Sequence, residues 1–205
     1  AKPGVPNDMS GVNADSRGPG AVFAAQMAAD DFVASHKDFK VEVVSADHQN
    51  KPDVGSSIAR KWYDQDGVDA ILDVPTSSVA LVVSDITREK NKVFLVSGGG
   101  SSDLTGAKCS PNTVQWTYDT WALANGTGTA ATRREGTTWF FLTADYAFGA
   151  ALERDAAAAV KNAGGKVLGG VKHPLSATDF SSFLLQAQAS GAKVIGLANA
   201  GGDTI

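Results

Sequence analysis

Cysteine and long apolar runs are scarce in this sequence of 205 residues, and each scarcity excludes a class of structure. Cys109 is the only cysteine, so no intrachain disulfide can form, and the redox compartment stays undecided. No apolar run approaches the roughly 20 residues that a membrane-spanning helix needs, so we expect no direct membrane span. The chain opens on Ala1-Lys2-Pro3 without an apolar signal segment, which fits a cytosolic protein or an exported one whose signal has been removed.

Positive charge is also in short supply. The sequence has 18 Lys and Arg against 22 Asp and Glu, for a formal net charge of −4. Its basic residues cluster no further than pairs such as Arg133-Arg134. A protein that binds nucleic acid needs a basic face to contact the phosphates, so we expect no nucleic-acid partner.

The motifs of common enzyme classes are absent as well. The sequence has no G-x-S-x-G, H-E-x-x-H, Walker A or G-x-G-x-x-G pattern. His36, His48 and His173 lie far apart, in predicted loops or at a strand end, and we expect each to face solvent. Cys109 has no obvious histidine partner and is interpreted as a small packing residue. These absences predict a protein that is not an enzyme and that holds neither a cofactor nor a metal.

Two polar loops after apolar segments are the most informative features present. The apolar run 93–96 predicts a buried parallel strand, which leads into the segment Ser97 to Ser102 with three successive glycines. A second predicted strand, Ala70 to Val74, ends similarly, in Pro75-Thr76-Ser77-Ser78. Glycines permit positive φ, and exposed N–H groups in such a turn can form an anion-binding concavity. Although such loops are often ordinary connections, two at one sheet edge predict a ligand site there.

Strands alternate with helices along the whole chain, which predicts βαβ units and parallel sheets. We therefore expect an α/β protein with two Rossmann-like lobes, the first over residues 1–117 and the second over 118–205. The predicted strands after the N-terminal segment are 41–45, 68–74, 92–97, a half-buried strand at 114–118, 138–142, 166–171 and 193–198.

The two ends of the chain depart from this regular pattern. Pro3 and Pro6 fall where a first strand is expected, and an interior strand does not readily accommodate residues without N–H donors. We therefore expect this segment to be an edge strand or irregular. Because the sequence stops at Ile205, just after a loop, we expect the second lobe to be truncated.

Several stretches of the sequence, in the order in which they occur, resemble those of a known family. The family is the type I periplasmic solute-binding proteins of ABC importers, and specifically the leucine/isoleucine/valine-binding branch. The stretches are Asn7-Asp8-Met9-Ser10-Gly11 with Gly18-Pro19-Gly20, Val74-Pro75-Thr76-Ser77-Ser78, Ser97 to Thr105, Asp145-Tyr146-Ala147-Phe148-Gly149 and Asn199-Ala200-Gly201-Gly202-Asp203.

The resemblance implies the type I periplasmic-binding-protein fold, with segments that return to the first lobe after Ile205. It also implies an extracytoplasmic binding component, periplasmic after signal removal, that delivers a solute to an ABC permease of the inner membrane. The implied solute is a small carboxylate, either a branched-chain or other amino acid or an aromatic acid, held in the cleft between lobes. The alternative function is the ligand-sensing domain of a receptor or transcription regulator with the same fold. A phosphate-binding flavodoxin-like or Rossmann enzyme ranks lower, because the Gly98–Ser102 loop lacks a third spaced glycine and an acidic residue for a ribose.

The resemblance also assigns roles to individual residues. Ser77, with Ser78 beside it, corresponds to a serine that donates to the ligand carboxylate, and Gly99, Gly100 and Ser101 correspond to groups that hold the carboxylate and ammonium. Phe148 corresponds to an aromatic lid and Tyr118 to the hinge crossing. One departure is Asn13, which stands where many relatives have an aromatic ring. The implied ligand-binding residues are Ser77, Ser78, Gly99, Gly100, Ser101, Tyr118, Phe148 and Asn199.

Overall fold

The computed structural model describes residues 1–134 and 136–205, and these form two compact units. Unit 1 comprises residues 1–99 and 103–117. Unit 2 comprises residues 100–102 and 118–205, so the second half of the glycine-rich loop belongs to it. Within the described ranges, no helix combines the length and apolar character that crossing a membrane would require.

Unit 1 is a five-stranded parallel sheet with the strand order β2-β1-β3-β4-β5. Helices connect the first four strands, as parallel pairing requires. The predicted α/β architecture is therefore confirmed for this unit. Its elements are β1 (Pro3–Asn7), α1 (Gly18–Ser35), β2 (Val44–Asp47), α2 (Pro52–Asp64), β3 (Ala70–Leu72), α3 (Ser77–Glu89), β4 (Val93–Val96) and β5 (Thr113–Gln115).

Unit 2 is built on a three-stranded parallel sheet with the order β7-β6-β8, and it too confirms the predicted α/β class. A π-helical segment, Ala124–Gly128, joins its first two helices. The elements are α4 (Thr120–Leu123), α5 (Thr129–Arg134), β6 (Thr138–Ala144), α6 (Ala147–Asn162), β7 (Lys166–His173), α7 (Ser181–Ala189) and β8 (Val194–Ala198).

Strand β1 lies between β2 and β3, so the prediction of an edge or irregular first segment is wrong. Successive residues of a parallel strand turn their backbone groups to opposite neighbours. Because the carbonyl of Lys2 bonds on the β3 side, even-numbered residues face β3 and odd-numbered residues face β2. Pairing with β3 covers only Pro3 and Gly4, whereas pairing with β2 runs from Gly4 to Asn7. The backbone nitrogen of Pro3 thus faces β2 at a position before the β1–β2 pairing begins. The backbone nitrogen of Pro6 faces β3 at a position after the β1–β3 pairing has ended. Neither proline therefore removes a hydrogen bond between strands.

The core of unit 1 lies between the sheet and helices α2 and α3. Phe94 and Val96 of β4 are fully buried in it, and burial of a side chain like Phe94 contributes about 1.5–3 kcal/mol. The other face of β4 is open, since Val93 is 46% exposed and Leu95 42% exposed. The prediction of a buried β4 therefore holds for one face only.

Helix α6 of unit 2 begins against the ends of two strands, and a glycine makes this close approach possible. Gly149 lies in its first turn, and a Cβ added there would overlap the carbonyl oxygen of Ala144 at the end of β6. The same Cβ would lie 2.9 Å from the carbonyl oxygen of Ala198 at the end of β8. The first turn of α6, with Phe148, is thereby seated on the carboxyl edge of this sheet.

Two of the three histidines are fully buried, so the prediction that each faces solvent is wrong for His48 and His173. The backbone N–H of His48 donates to Asn7, which extends the β1–β2 ladder and draws the side chain inside. Its Nδ1 accepts from the N–H of Asn50 at 3.1 Å, which leaves the proton on Nε2. No described residue partners that Nε2. Burial lowers the pKa of His48, against the opposing charges of nearby aspartates.

The close approach at Gly149 predicts that Gly149→Ala destabilises unit 2. We expect a loss of about 2 kcal/mol or more in the free energy of unfolding, because overpacking against backbone cannot be relieved by a side-chain rotation. Gly126→Ala is the matched control, since a Cβ added there meets no described atom within 4 Å beyond its chain neighbours and its own helix. Urea unfolding of both variants tests this, and equal stabilities would contradict the packing described.

The burial of His48 predicts a loss of stability on acidification. Its folded pKa lies below the ordinary value of 6.5, so the unfolded chain binds more protons below that pH and stability falls. The slope reaches at most about 1.4 kcal/mol per pH unit. His48→Asn keeps an acceptor for Asn50 but cannot be protonated, so its stability should fall less between pH 7 and 5.5. Identical slopes for the two proteins in urea titrations would refute this.

Candidate functional site

The carboxyl edge of the unit 1 sheet carries a buried carboxylate, Asp8, that joins the loops after β1 and β2. Asp8 is fully buried just after β1. Its Oδ1 accepts from the N–H of Gly11 at 2.7 Å, and its Oδ2 accepts from the N–H of Asn13 at 2.8 Å. The side-chain amide of Asn50, from the loop after β2, donates to the same Oδ2 at 2.7 Å. These bonds satisfy a charge that would otherwise be costly to bury.

A second carboxylate, Asp73, fixes a strained turn after β3. Asp73 and Val74 have φ values of 70° and 58°, a left-handed conformation that costs about 1–2 kcal/mol per residue. The Asp73 carboxylate accepts from Asn7 Nδ2 at 2.6 Å and from Ser97 Oγ at 2.8 Å, and Arg17 Nη1 lies 3.9 Å away. The network holds the turn that leads into α3. Strain of this kind concentrates at functional sites.

The turn delivers the predicted site residues of unit 1 to the N-terminus of α3. Ser77 is fully buried in the first turn of this helix, and Ser78 follows it half-buried. Gly99 packs onto the same turn, since a Cβ added there would lie 3.0 Å from the Cβ of Ala80. Its carbonyl accepts from Gln115 Nε2 at 2.8 Å. Unit 1 thus brings Ser77, Ser78 and Gly99 together where the helix dipole favours an anion.

Unit 2 brings Gly100 together with two aromatic rings. A Cβ added at Gly100 would lie 3.0 Å from Phe148 Cε2 and 3.0 Å from Tyr118 Cε2. Phe148 is nearly buried in the first turn of α6, whereas Tyr118 is 46% exposed. Ser101 follows Gly100 and is fully buried. The backbone at Gly100 therefore lies against two rings, and glycine is the residue that allows this approach.

A further tyrosine, Tyr146, extends this aromatic group. Its ring centroid lies 6.0 Å from that of Phe148. Burial raises the pKa of the Tyr146 hydroxyl, and the charges of Asp203 and Tyr118 raise it further. Tyr146 therefore stays neutral and presents an apolar ring with a polar tip. We refer to Tyr118, Tyr146 and Phe148 as the aromatic group of unit 2.

Asn199 lies at the same sheet edge of unit 2, just after β8, but its side chain is bonded within the unit. Its Nδ2 lies 3.3 Å from His173 Nε2 and donates to the carbonyl of Asp203 at 3.3 Å. Its Oδ1 accepts from Thr204 Oγ1 at 3.0 Å. Burial raises the pKa of the Asp203 carboxyl, although the N–H of Ser176 donates to it. Any contact of Asn199 with a solute would require part of this network to open.

The chemistry of these groups suits binding better than group transfer. Unit 1 offers hydroxyls and a helix N-terminus, and unit 2 offers rings beside a glycine backbone. Among residues 1–134 and 136–205, no three His, Cys, Asp or Glu side chains come together as a possible metal site. A cavity of about 410 Å³ also borders the unit 1 edge, lined partly by Arg17, Asp73 and Ser97. Taken separately, the groups of unit 1 suit an anion, and the rings of unit 2 suit a flat apolar group.

Sequence reasoning missed the residues that support these groups. Asp73 follows the apolar run 70–72 and carries no motif of its own. Asp155 and Thr120 hydrogen-bond each other, yet they are 35 residues apart in sequence. Tyr146 lies in the stretch Asp145-Tyr146-Ala147-Phe148-Gly149. Its closeness to Phe148 in the sequence is the signal that could have indicated a second aromatic residue at this site.

Comparison with known proteins identifies the family. Residues 2–205 match the family described as periplasmic binding protein. A periplasmic binding protein from Burkholderia mallei is 53% identical with a TM-score of 0.96, and the match covers 100% of this chain and 54% of that one. A branched chain amino acid ABC transporter periplasmic ligand-binding protein from Burkholderia xenovorans LB400 is 37% identical with a TM-score of 0.75, covering 95% of this chain and 52% of that one.

A third relative was solved with a bound aromatic acid. It is the solute binding protein of an ABC transporter from Rhodopseudomonas palustris HaA2, in complex with p-hydroxybenzoic acid. It is 26% identical with a TM-score of 0.80, and the match covers 99% of this chain and 55% of that one. The chain thus spans about half the length of the relatives it matches. With nearly every residue inside the family match, this chain belongs to the periplasmic binding protein family.

Proposed function

We propose that the protein carrying this chain is the extracytoplasmic solute-binding component of an ABC importer. It binds a small carboxylate in the periplasm and delivers it to a permease of the inner membrane, and it catalyses no reaction itself. Membership of the periplasmic binding protein family supports this role, as do the similar ABC-transporter proteins from Burkholderia and Rhodopseudomonas.

The observation that carries the choice of solute is the approach of Gly100 to the rings of Tyr118 and Phe148. A flat ring stacks on such side chains, whereas the backbone N–H groups of the same loop can donate to a carboxylate. We therefore favour an aromatic carboxylate over a branched-chain amino acid. The p-hydroxybenzoate complex of the Rhodopseudomonas relative agrees with this preference.

Each unit contributes its own groups to the proposed function. In unit 1, we assign Ser77, Ser78 and Gly99 as donors to the carboxylate, since they lie at the N-terminus of α3. In unit 2, Gly100 and Ser101 supply further backbone and hydroxyl donors. The apolar body of the solute contacts Tyr118 and Phe148, and Asn199 supplies a polar contact when part of its hydrogen-bond network within unit 2 opens.

Binding to the full-length protein tests this function by isothermal titration calorimetry. We expect 4-hydroxybenzoate to bind, and its methyl ester to bind about ten- to a hundredfold more weakly. The reason is that hydrogen bonds to a charged group contribute about 1.5–3 kcal/mol. L-Leucine and L-phenylalanine are the competing solutes. Tighter binding of L-leucine than of any aromatic acid would reverse the choice of solute, and no binding of any carboxylate would refute the function.

The contact at Gly100 predicts the effect of one methyl group. Gly100→Ala should weaken the binding of 4-hydroxybenzoate at least tenfold, because the new Cβ pushes the two rings from their positions. Gly126→Ala, in the same unit with open space around it, should leave the dissociation constant within twofold of the wild type. Equal affinities for the two variants would show that the solute does not use this part of unit 2.

A further inference from the structure

The loop segment Gly100–Ser102 is held in unit 2 by bonds to the start of α4. The N–H of Thr120 donates to the carbonyl of Gly100 at 2.8 Å. In return, the N–H of Ser102 donates to Thr120 Oγ1 at 3.1 Å. Thr120 is fully buried at the first position of α4, two residues after Tyr118. The segment that carries Gly100 and the segment that carries Tyr118 are therefore locked to each other.

One carboxylate on α6, that of Asp155, accepts hydrogen bonds from both of these segments. Asp155 Oδ2 accepts from Thr120 Oγ1 at 2.6 Å and from Ser102 Oγ at 2.7 Å. Its Oδ1 accepts from Arg154 Nε at 2.9 Å, and Arg154 Nη2 also reaches Ser102 Oγ at 2.9 Å. The Asp155 side chain is only 10% exposed. Although burial alone would raise the pKa of this carboxyl, the bonds from Arg154, Thr120 and Ser102 lower it, so Asp155 is a charged acceptor.

The position of Asp155 on α6 connects its hydrogen bonds with Ser102 and Thr120 to the aromatic group of unit 2. Phe148 is in the first turn of α6, and Asp155 follows seven residues later, about two turns along the same face. One end of the helix thus supplies a ring against Gly100, and the middle supplies the carboxylate that holds Ser102 and Thr120. The bonds of Asp155 and the approach of Gly100 to both rings therefore involve the same helix and the same loop segment.

We propose that Asp155 is a positioning residue for solute binding, which acts by holding Ser102 and Thr120 so that Gly100 and Ser101 stay aligned beside Tyr118 and Phe148. It does not itself contact the solute. The assignment rests on the proposed function, since it takes the Gly100–Ser101 segment as part of the binding site. It adds a residue in the interior of α6 that belongs to none of the stretches by which the family was recognised.

The test uses 4-hydroxybenzoate and its methyl ester with the full-length protein and its Asp155→Asn variant. The asparagine keeps the shape but removes the charge and one of the two acceptor oxygens. We expect the affinity for 4-hydroxybenzoate to fall at least tenfold, and the preference for the acid over the ester to shrink as well. A residue that only stabilised the fold would lower the melting temperature without changing that preference.

Three further variants separate positioning from general damage. Glu153→Gln is the control on the same helix, since Glu153 holds the hydroxyl of Thr143 and not the loop, and its affinity should stay within twofold. Thr120→Ser keeps the hydroxyl and should bind like the wild type, whereas Thr120→Val removes it and should behave like Asp155→Asn. If Asp155→Asn does not fold, the Thr120 pair decides the question by itself.

The outcomes distinguish this inference from the function on which it rests. Failure of the wild type to bind any carboxylate would overturn both. Tight binding by the wild type, with Asp155→Asn and Thr120→Val both folded and within twofold of its affinity, would overturn the role of Asp155 alone.

Discussion

The parallel direction of all strands within each sheet is the constraint on which the rest of this structure depends. Parallel strands place all of their carboxyl ends at one edge, so the loops that follow them must meet there. In unit 1 this edge gathers the loops that contain Asp8 and Asp73 and the start of α3 with Ser77. In unit 2 it gathers Phe148 and Asn199. Polar and aromatic residues that follow strands are thereby brought to one edge within each unit.

Gathering polar groups at one edge also has an energetic consequence. Buried carboxylates such as Asp8 and Asp73 are stable only when fully hydrogen-bonded, and each is bonded to neighbouring loops. The same bonds hold Asp73 and Val74 in a left-handed conformation that the chain would not otherwise adopt. These bonds thereby fix the loop positions of unit 1, and preorganisation of this kind generally lowers the entropic cost of binding a ligand.

Unit 2 shows a different way of fixing a loop. Its loop segment Gly100–Ser102 is anchored through the side chain of Ser102 and through backbone groups. The acceptors come from a buried threonine and a helical carboxylate, Thr120 and Asp155. Because the loop is anchored through these other groups, position 100 needs no side chain. A glycine there allows the backbone to approach two rings closely. Flexible glycine is useful here because the residues on either side of it are rigidly bonded.

The sequence was sufficient to predict the α/β class and the order of strands and helices, because the apolar periodicity that specifies each element is local. It was not sufficient to predict that β1 is an interior strand. The two prolines are tolerated there because the pairing with β2 and the pairing with β3 cover different parts of β1, and the sequence does not reveal this register. The burial of His48 could not be predicted either, since it follows from a ladder bond to Asn7 across 41 positions. The polar and aromatic site residues could be proposed by resemblance, but their support by Asp155 depends on tertiary contacts that leave no sequence pattern.

The most direct test of the central claim is nuclear magnetic resonance of the full-length protein, labelled with ¹⁵N, during titration with 4-hydroxybenzoate. The claim is that the solute carboxylate accepts hydrogen bonds from the backbone around Gly99–Ser101. It predicts large downfield shifts of the amide protons of Gly100 and Ser101 that saturate with the same dissociation constant as calorimetry. Saturable binding that leaves these amide signals unmoved and shifts others would contradict it.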